Sequence, residues 1–305
     1  MGFLYILEKI RMPGLNEFML LITKLGEETA FLVAALIVFW CVDKRKGYFV
    51  MTVGFIGTIA NQFLKLACRV PRPWVLDVNF TILEQAREAA TGYSFPSGHS
   101  QSAVGTFGSI AATTQKRWVR WACIAVCVLV PLSRMYIGVH TPADVLVGAG
   151  MAVAMVLVLR KPVIEKGVSA MKVLICVMIL MSVGLLFYTE FWAFPADMDA
   201  HNLESGLKNA YTMIGCLTGV AVVYVAERRF VDFTTEAVWW AQLLKVILGL
   251  GAVLLVKEGL RTPLEWIVGD PLPARAVRYF LIVLVAGFFW PMSFRWFSKL
   301  GRKDV

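Results

Sequence analysis

The chain has 305 residues, 58% of them hydrophobic, with a mean hydropathy of +0.69 and a formal net charge of +9. A soluble globular domain is only about half apolar, so this composition excludes an ordinary soluble protein and points to a membrane-embedded one. The basic excess reads as membrane topology and contact with anionic lipid headgroups, not as nucleic-acid binding.

Residues 1–27 come first and are not a span. Phe3, Leu4, Ile6, Leu7 and Ile10 precede Pro13 and Gly14; Phe18, Leu21, Ile22 and Leu25 then recur at helical spacing around Glu17 and Lys24. This pattern predicts two short amphipathic pieces lying in the membrane interface. A basic start, compact apolar block and small-residue cleavage site do not follow in that order, so a cleaved signal peptide is not expected.

A spanning helix needs about 20 mostly apolar residues. Nine stretches approach that length: 28–43, 48–66, 99–115, 118–133, 142–159, 171–190, 207–225, 238–256 and 276–294. The first and fourth are short, which leaves room for a count one lower. The predicted class is all-α, a polytopic membrane helical bundle of about nine transmembrane helices, with no separate soluble domain.

Alternate connections carry "DKRKG" (43–47), "QKRWVR" (115–120), Arg160 to Lys172, Arg228 with Arg229, and the tail from Arg295 to Lys303. Together these hold sixteen Lys or Arg, against thirteen in the amino-terminal segment and the opposite connections. Three of the thirteen, Lys65, Arg72 and Arg134, belong to a cluster with its own explanation. The basic set is therefore expected on the cytoplasmic side. The opposite connection at 190–204 holds four acids and no Lys or Arg, in agreement. The six cysteines lie mostly inside apolar runs without a CxxC pair and read as small packing residues.

Three polar clusters fall on the extracytoplasmic side. "KLACRVPRP" (65–73) leaves the second span with Lys65, Arg69 and Arg72; "GYSFPSGHSQS" (92–102) enters the third; "SRMYIGVHTPAD" (133–144) joins the fourth to the fifth. Arg supplies a rigid fork of donors and Lys a point charge, so Lys65, Arg72 and Arg134 suit the oxygens of a phosphoryl group. Ser97 precedes a helix, where free N–H groups favour an anion. "HTPAD" repeats the device, with Thr141 as N-cap, Pro142 at the first helical position and Asp144 at the third. His140 and Asp144 stand four apart, close enough for the carboxylate to orient the ring as a nucleophile. That leaves His99 to donate a proton to a departing oxygen. His201, in the acidic connection without matching partners, reads as a structural polar residue. The three histidines form no HxxxH or HExxH set, and the outer acids are not grouped for two metals, so no metal site is expected.

These residues match KxxxxxxRP (Lys65 to Pro73), PSGH (Pro96 to His99) and SRxxxxxHxxxD (Ser133 to Asp144), all complete and in order. The chain thereby resembles the type 2 phosphatidic acid phosphatase superfamily over about residues 15–160. The resemblance implies a metal-independent, cofactor-free membrane phosphatase. Its core would have five to six helices, within residues 28–190, followed by a carboxy-terminal extension of about three transmembrane helices at 191–305. By the same resemblance His140 attacks phosphorus and forms a phosphohistidine, Asp144 orients it, and His99 protonates the leaving group. Lys65, Arg72, Ser97, Gly98 and Arg134 would bind the phosphate, Gly98 because a side chain there would crowd it.

A site at the outer face beside lipid argues for an amphiphile with a phosphate or diphosphate headgroup: a prenyl diphosphate, phosphatidylglycerol phosphate, phosphatidic acid or a sphingoid phosphate. Small soluble phosphates stay open, and oligomeric state is not legible. The pocket wall is expected to draw on residues 74–95 and on the 190–206 loop. A lipid phosphotransferase would use the same phosphohistidine and stays open. A transporter or binding protein is suggested by the span count and by Lys245 inside the eighth span, where a charge costs roughly 2.5–3.5 kcal/mol. A phosphate binder, however, needs no His–Asp pair opposite a second His.

Overall fold

The computed structural model describes residues 1–87, 90–196 and 198–300. Arg302 and Lys303 of the basic tail, Glu88 of the expected pocket wall and Asp197 of the acidic connection lie outside the described residues. Every regular element among the described residues is helical. The chain is an all-α integral membrane protein. Seven helices are long and apolar enough to cross a membrane, or eight if the pair Pro13–Gly26 and Glu28–Val42, bent by 58°, counts as one span.

Two of the nine expected stretches are shorter in the structure than a single spanning helix. The third expected span is helix α6 (Gly98–Thr113), only 16 residues long and carrying Ser100, Gln101, Thr106 and Ser109 buried within it. It packs mainly against α7 (Arg117–Tyr136) and α8 (Pro142–Ile164), so protein rather than lipid surrounds its polar side chains. The first expected span is α3 (Glu28–Ile37) continued by a π-turn over Val38–Val42, which is too short to cross alone.

The chain divides into two compact units. One comprises Met1–Ala34, Phe49–Lys166 and Ala193–Gly206, and the other Ala35–Tyr48, Gly167–Trp192 and Leu207–Val305. In the first, α1 (Gly2–Lys9) and α2 (Pro13–Thr23) are the two predicted amphipathic pieces. Each turns Leu4, Leu7 or Met19 inward and leaves Phe3, Ile6, Phe18 and Leu21 exposed. Their inner faces are not idle. Met19 packs with Ala86, Tyr136, Ile137 and Val139, and Leu4 with Phe80 and Ile82, so two small cores clamp the 80–86 stretch over the end of α7. Arg11 donates to the carbonyls of Tyr136 (3.0 Å) and Thr81 (2.9 Å), closing the same clamp.

The second unit contains α9 (Val168–Phe191), most of α10 (Ala200–Ala226), α11 (Trp239–Gly259), α12 (Arg261–Val268), α13 (Pro271–Leu284) and α14 (Phe294–Phe297). Edge-to-face contacts join Phe39, Tyr48, Phe233 and Phe294. Lys44 pairs with Glu227 (2.9 Å) and Asp232 (2.8 Å), so two of the basic connections meet.

Candidate active site

All three motifs lie in the first unit and meet around His140. The helix α4 (Lys44–Cys68) ends with Arg69 at φ +50°, its N–H bonded to the Lys65 carbonyl at 3.0 Å. The chain then runs to Arg72, which precedes the short helix α5 (Pro73–Leu76). Ser94 N–H bonds the Val70 carbonyl at 2.8 Å, tying the loop before PSGH to the end of α4.

The two helix starts come together by close backbone approach. Ser97 caps α6, its hydroxyl accepting from Ser100 N–H, and Ser97 N–H in turn donates to the Asp144 carbonyl at 2.9 Å. A methyl group on Gly148 would stand 2.5 Å from the Ser97 carbonyl oxygen, so only glycine permits this approach of α8 to the α6 cap. At α8 the Thr141–Asp144 capping box forms as its sequence predicts. Thr141 N–H donates to Asp144 Oδ2 at 2.7 Å, and Asp144 N–H to Thr141 Oγ1 at 3.3 Å. Gly138, at φ +88° with Phe80 and Arg11 against its Cα, makes the turn that delivers His140 from the end of α7.

Lys65, Arg72, Arg134 and Asp144 are 7, 7, 2 and 1% exposed, and His140 is buried with them. Arg72 bridges the motifs. It donates to the carbonyls of Gly92 (3.1 Å), Thr91 (2.7 Å) and Val139 (3.0 Å), and its Nη1 stands 3.0 Å from Nε2 of His140. Because a guanidinium only donates, Nε2 must hold the lone pair and the ring proton sits on Nδ1. Lys65 donates to the Tyr93 carbonyl, and Arg134 Nη1 to Thr23 Oγ1 at 2.8 Å. The Arg134 Nε is buried without a hydrogen-bond partner among the described residues. Burial first, then the charges of Arg72, Arg134, Lys65 and His99, hold the His140 imidazole well below its usual range and hence neutral.

Sequence reasoning places Asp144 in direct contact with His140; the geometry differs. Asp144 Oδ2 is 3.6 Å from Nδ1, and the Ser94 hydroxyl closes a triangle with them, 3.4 Å from Nδ1 and donating to Oδ2 at 2.6 Å. Ser94 is thus a second oxygen about as close to Nδ1 as the carboxylate, and it ties the two together. His99 begins α6 partly exposed, with Gly26 packed on its backbone and Cβ, within electrostatic reach of Arg134, Arg72, Lys65 and His140. Gly98 stands beside Asn61. A methyl there would meet Asn61 Oδ1 at an ordinary 3.5 Å, so the protein's own packing does not demand glycine and the space in front is left open. Thr23, Gly26, Asn61 and Ser94 escape the motif reading because none carries charge and each reaches the site through the fold.

Beyond Arg72 opens a cavity of about 740 Å³, lined among others by Arg69, Trp74, Val75, Gly92 and Tyr93 and, from the 190–206 loop, by Asp199 and His201. The expected pocket wall is thus partly present, and His201, read from sequence as structural, faces the cavity. Among the described residues no three His, Cys, Asp or Glu gather as a metal site.

The fold and site define a polytopic helical membrane protein with a buried, cation-rich pocket around a neutral histidine. The chain belongs to the PAP2 superfamily, whose family model matches residues 45–165; a second, the PAP2 superfamily phosphatase transmembrane extension, matches residues 211–303. It is 32% identical over 135 residues to an undecaprenyl-diphosphatase of Sulfolobus acidocaldarius, covering 44% of this chain and 64% of that protein. It is 33% identical over 93 residues to the undecaprenyl-diphosphatase BcrC of Bacillus subtilis (30% of this chain, 45% of the relative). Against phosphatidylglycerophosphatase B of Bacillus subtilis identity is 31% over 152 residues (46% and 70%). The matched segments therefore span less than two thirds of the length of either undecaprenyl-diphosphatase. No solved structure matches the chain.

Proposed function

We propose that the protein is a metal-independent phosphatase that hydrolyses a lipid phosphate or diphosphate at the extracytoplasmic face through a phosphohistidine on His140. The observation that carries this reading is the charge imbalance of the pocket. Three buried cations, one with an unpartnered donor, surround a neutral imidazole and, among the described residues, one buried carboxylate, Asp144, while Glu27 offsets part of the Arg134 charge. Buried charge without a counter-ion is costly, and a phosphoryl group supplies the missing anion.

In this reading the phosphoryl oxygens take the Arg134 Nε donor and the free donors of Lys65 and Arg72. They draw the Arg72 guanidinium off Nε2, which frees the lone pair to attack. The charge developing on the ring passes to Asp144 by way of Ser94, while His99 gives a proton to the departing oxygen. Water then cleaves the N–P bond, and donors already fixed in place stabilise both transition states. All eight candidate site residues fall within 28–190, the stretch assigned to the catalytic core.

The extracytoplasmic side is supported by the Lys and Arg count and by the meeting of the 43–47 and 227–232 connections through Lys44, as expected if both lie on the basic, cytoplasmic side. An amphiphilic substrate is supported by exposed Val75 in the cavity wall, followed along the chain by exposed Leu76 and Val78, beside charged Arg69 and Arg72. The names of the relatives, undecaprenyl-diphosphatase and phosphatidylglycerophosphatase, point the same way. The test is phosphate release by purified protein in detergent with EDTA, across prenyl diphosphate, phosphatidylglycerol phosphate, phosphatidic acid and sphingoid phosphate. Release from at least one lipid, absent in His140→Ala, is expected; release that needs added Mg²⁺, or survives in His140→Ala, contradicts the reading.

A further inference from the structure

Two polar side chains on the approach to His140 have no part in the mechanism above. Arg72, which touches the His140 ring, also lines the outer cavity, so the cavity is the way in. Arg69 and His201 line it too, Arg69 from the end of α4 and His201 from the first turn of α10. Neither side chain is engaged in a hydrogen bond or ion pair with another described residue. Asp199, the acid on the same wall, is occupied as a helix cap, accepting from Asn202 N–H at 2.8 Å.

Arg69 is also conformationally out of place. Its φ of +50° is the left-handed conformation in which helices ordinarily end on glycine or asparagine. Non-glycine residues held there at a cavity lip point to a use for the side chain. Arg69, partly exposed, lines this wall one helical turn beyond Lys65 in the chain, and His201 lines it exposed.

We infer that Arg69 and His201 form a second anion subsite, which takes a phosphate carried by the departing group, so that the preferred substrate is a lipid diphosphate. The inference rests on the phosphatase reading and adds the substrate class to it. Attack by His140 Nε2 on the terminal phosphorus forms the N–P bond and breaks the bridging P–O bond. The electron pair leaves with the oxygen of the lipid monophosphate, which takes the proton from His99. Water then splits N–P to give inorganic phosphate and free His140. The second phosphate, gaining charge as it leaves, passes between Arg69 and His201, and the apolar chain lies over Val75 and Leu76.

The test compares kcat/KM for farnesyl diphosphate, farnesyl monophosphate and phosphatidylglycerol phosphate in the full-length protein. Arg69→Gln should lower the diphosphate-to-monophosphate ratio by about tenfold or more, the loss of a charged hydrogen bond, with partial recovery in Arg69→Lys. His201→Gln should lower it by about threefold, a rim contact being weaker. Arg69→Gly should lose the diphosphate preference without lowering Tm, because it relieves the left-handed strain; a purely structural helix end would keep the preference. An equal fall for mono- and diphosphate in Arg69→Gln overturns the inference. So does a fall confined to phosphatidylglycerol phosphate, whose second phosphate lies beyond a glycerol spacer. Absence of release from every lipid by the wild-type chain would instead overturn the phosphatase reading itself.

Discussion

Lys245 and the cations around His140 are buried in different ways. In the second unit Lys245, fully buried in α11, donates to the Trp40 carbonyl at 2.9 Å and lies 4.4 Å from the centre of the Phe294 ring. Its own carbonyl accepts from Trp290 Nε1 at 3.2 Å. That cation is held by fixed dipoles and a π face, and the surrounding groups serve the packing. In the first unit Lys65, Arg72 and Arg134 also bond carbonyls and a hydroxyl, yet one buried donor is left without an acceptor and a neutral imidazole stands among them. The difference teaches that a buried charge alone does not mark a site. What sets the first unit's cations apart is an unmet donor beside a buried, neutral imidazole.

The contrast can be broken by substitution, most severely at the nucleophile. His140→Ala should reduce phosphate release by at least about 10⁴-fold, to background, since no other group supplies the attacking atom. Arg72→Gln comes next, at about 10²–10³-fold, because it removes a charge and unties the loop at Thr91 and Gly92 from Val139. Ser94→Ala and Asp144→Asn should both lower kcat, by about tenfold or more, and leave substrate binding nearly intact. Equal effects would follow from one relay, whereas a silent Ser94→Ala would restore the direct His–Asp contact. In the pH profile, the acid limb of kcat/KM should lie below the ordinary imidazole value of about 6.5. Cations and burial disfavour protonation of His140, so activity persists as pH falls through that value and is lost only further down; Arg72→Gln should move the limb upward. Smallest of all, Lys245→Met should leave turnover within about twofold. A large loss of turnover there would erase the distinction between the two buried cation sites.

Much of the site is legible in the sequence because its chemistry needs residue types that a membrane helix otherwise avoids. Lys65, Arg72, Arg134, His99, His140 and Asp144 stand out against apolar surroundings, and the Thr141–Asp144 cap can be read from spacing alone. Ser94 cannot be found that way, since a hydroxyl is unremarkable in a loop and its role depends on a 2.6 Å bond to Asp144. Thr23 and Gly26 belong to a stretch whose amphipathic pattern speaks only of the interface, although its inner face closes the pocket over Arg134 and His99. Helix α6 carries more buried polar side chains than a lipid-facing span for a related reason. Hydropathy reports contact with lipid, and α6 is lined by protein.

The central claim is a covalent bond to His140. Rapid base quench of the protein with prenyl diphosphate labelled in the terminal phosphate, followed by peptide mass spectrometry, tests it directly. The account predicts base-stable, acid-labile phosphate on His140, formed more slowly in His99→Ala and absent in His140→Ala. Turnover with no label on His140, or label on another residue that survives His140→Ala, would contradict it.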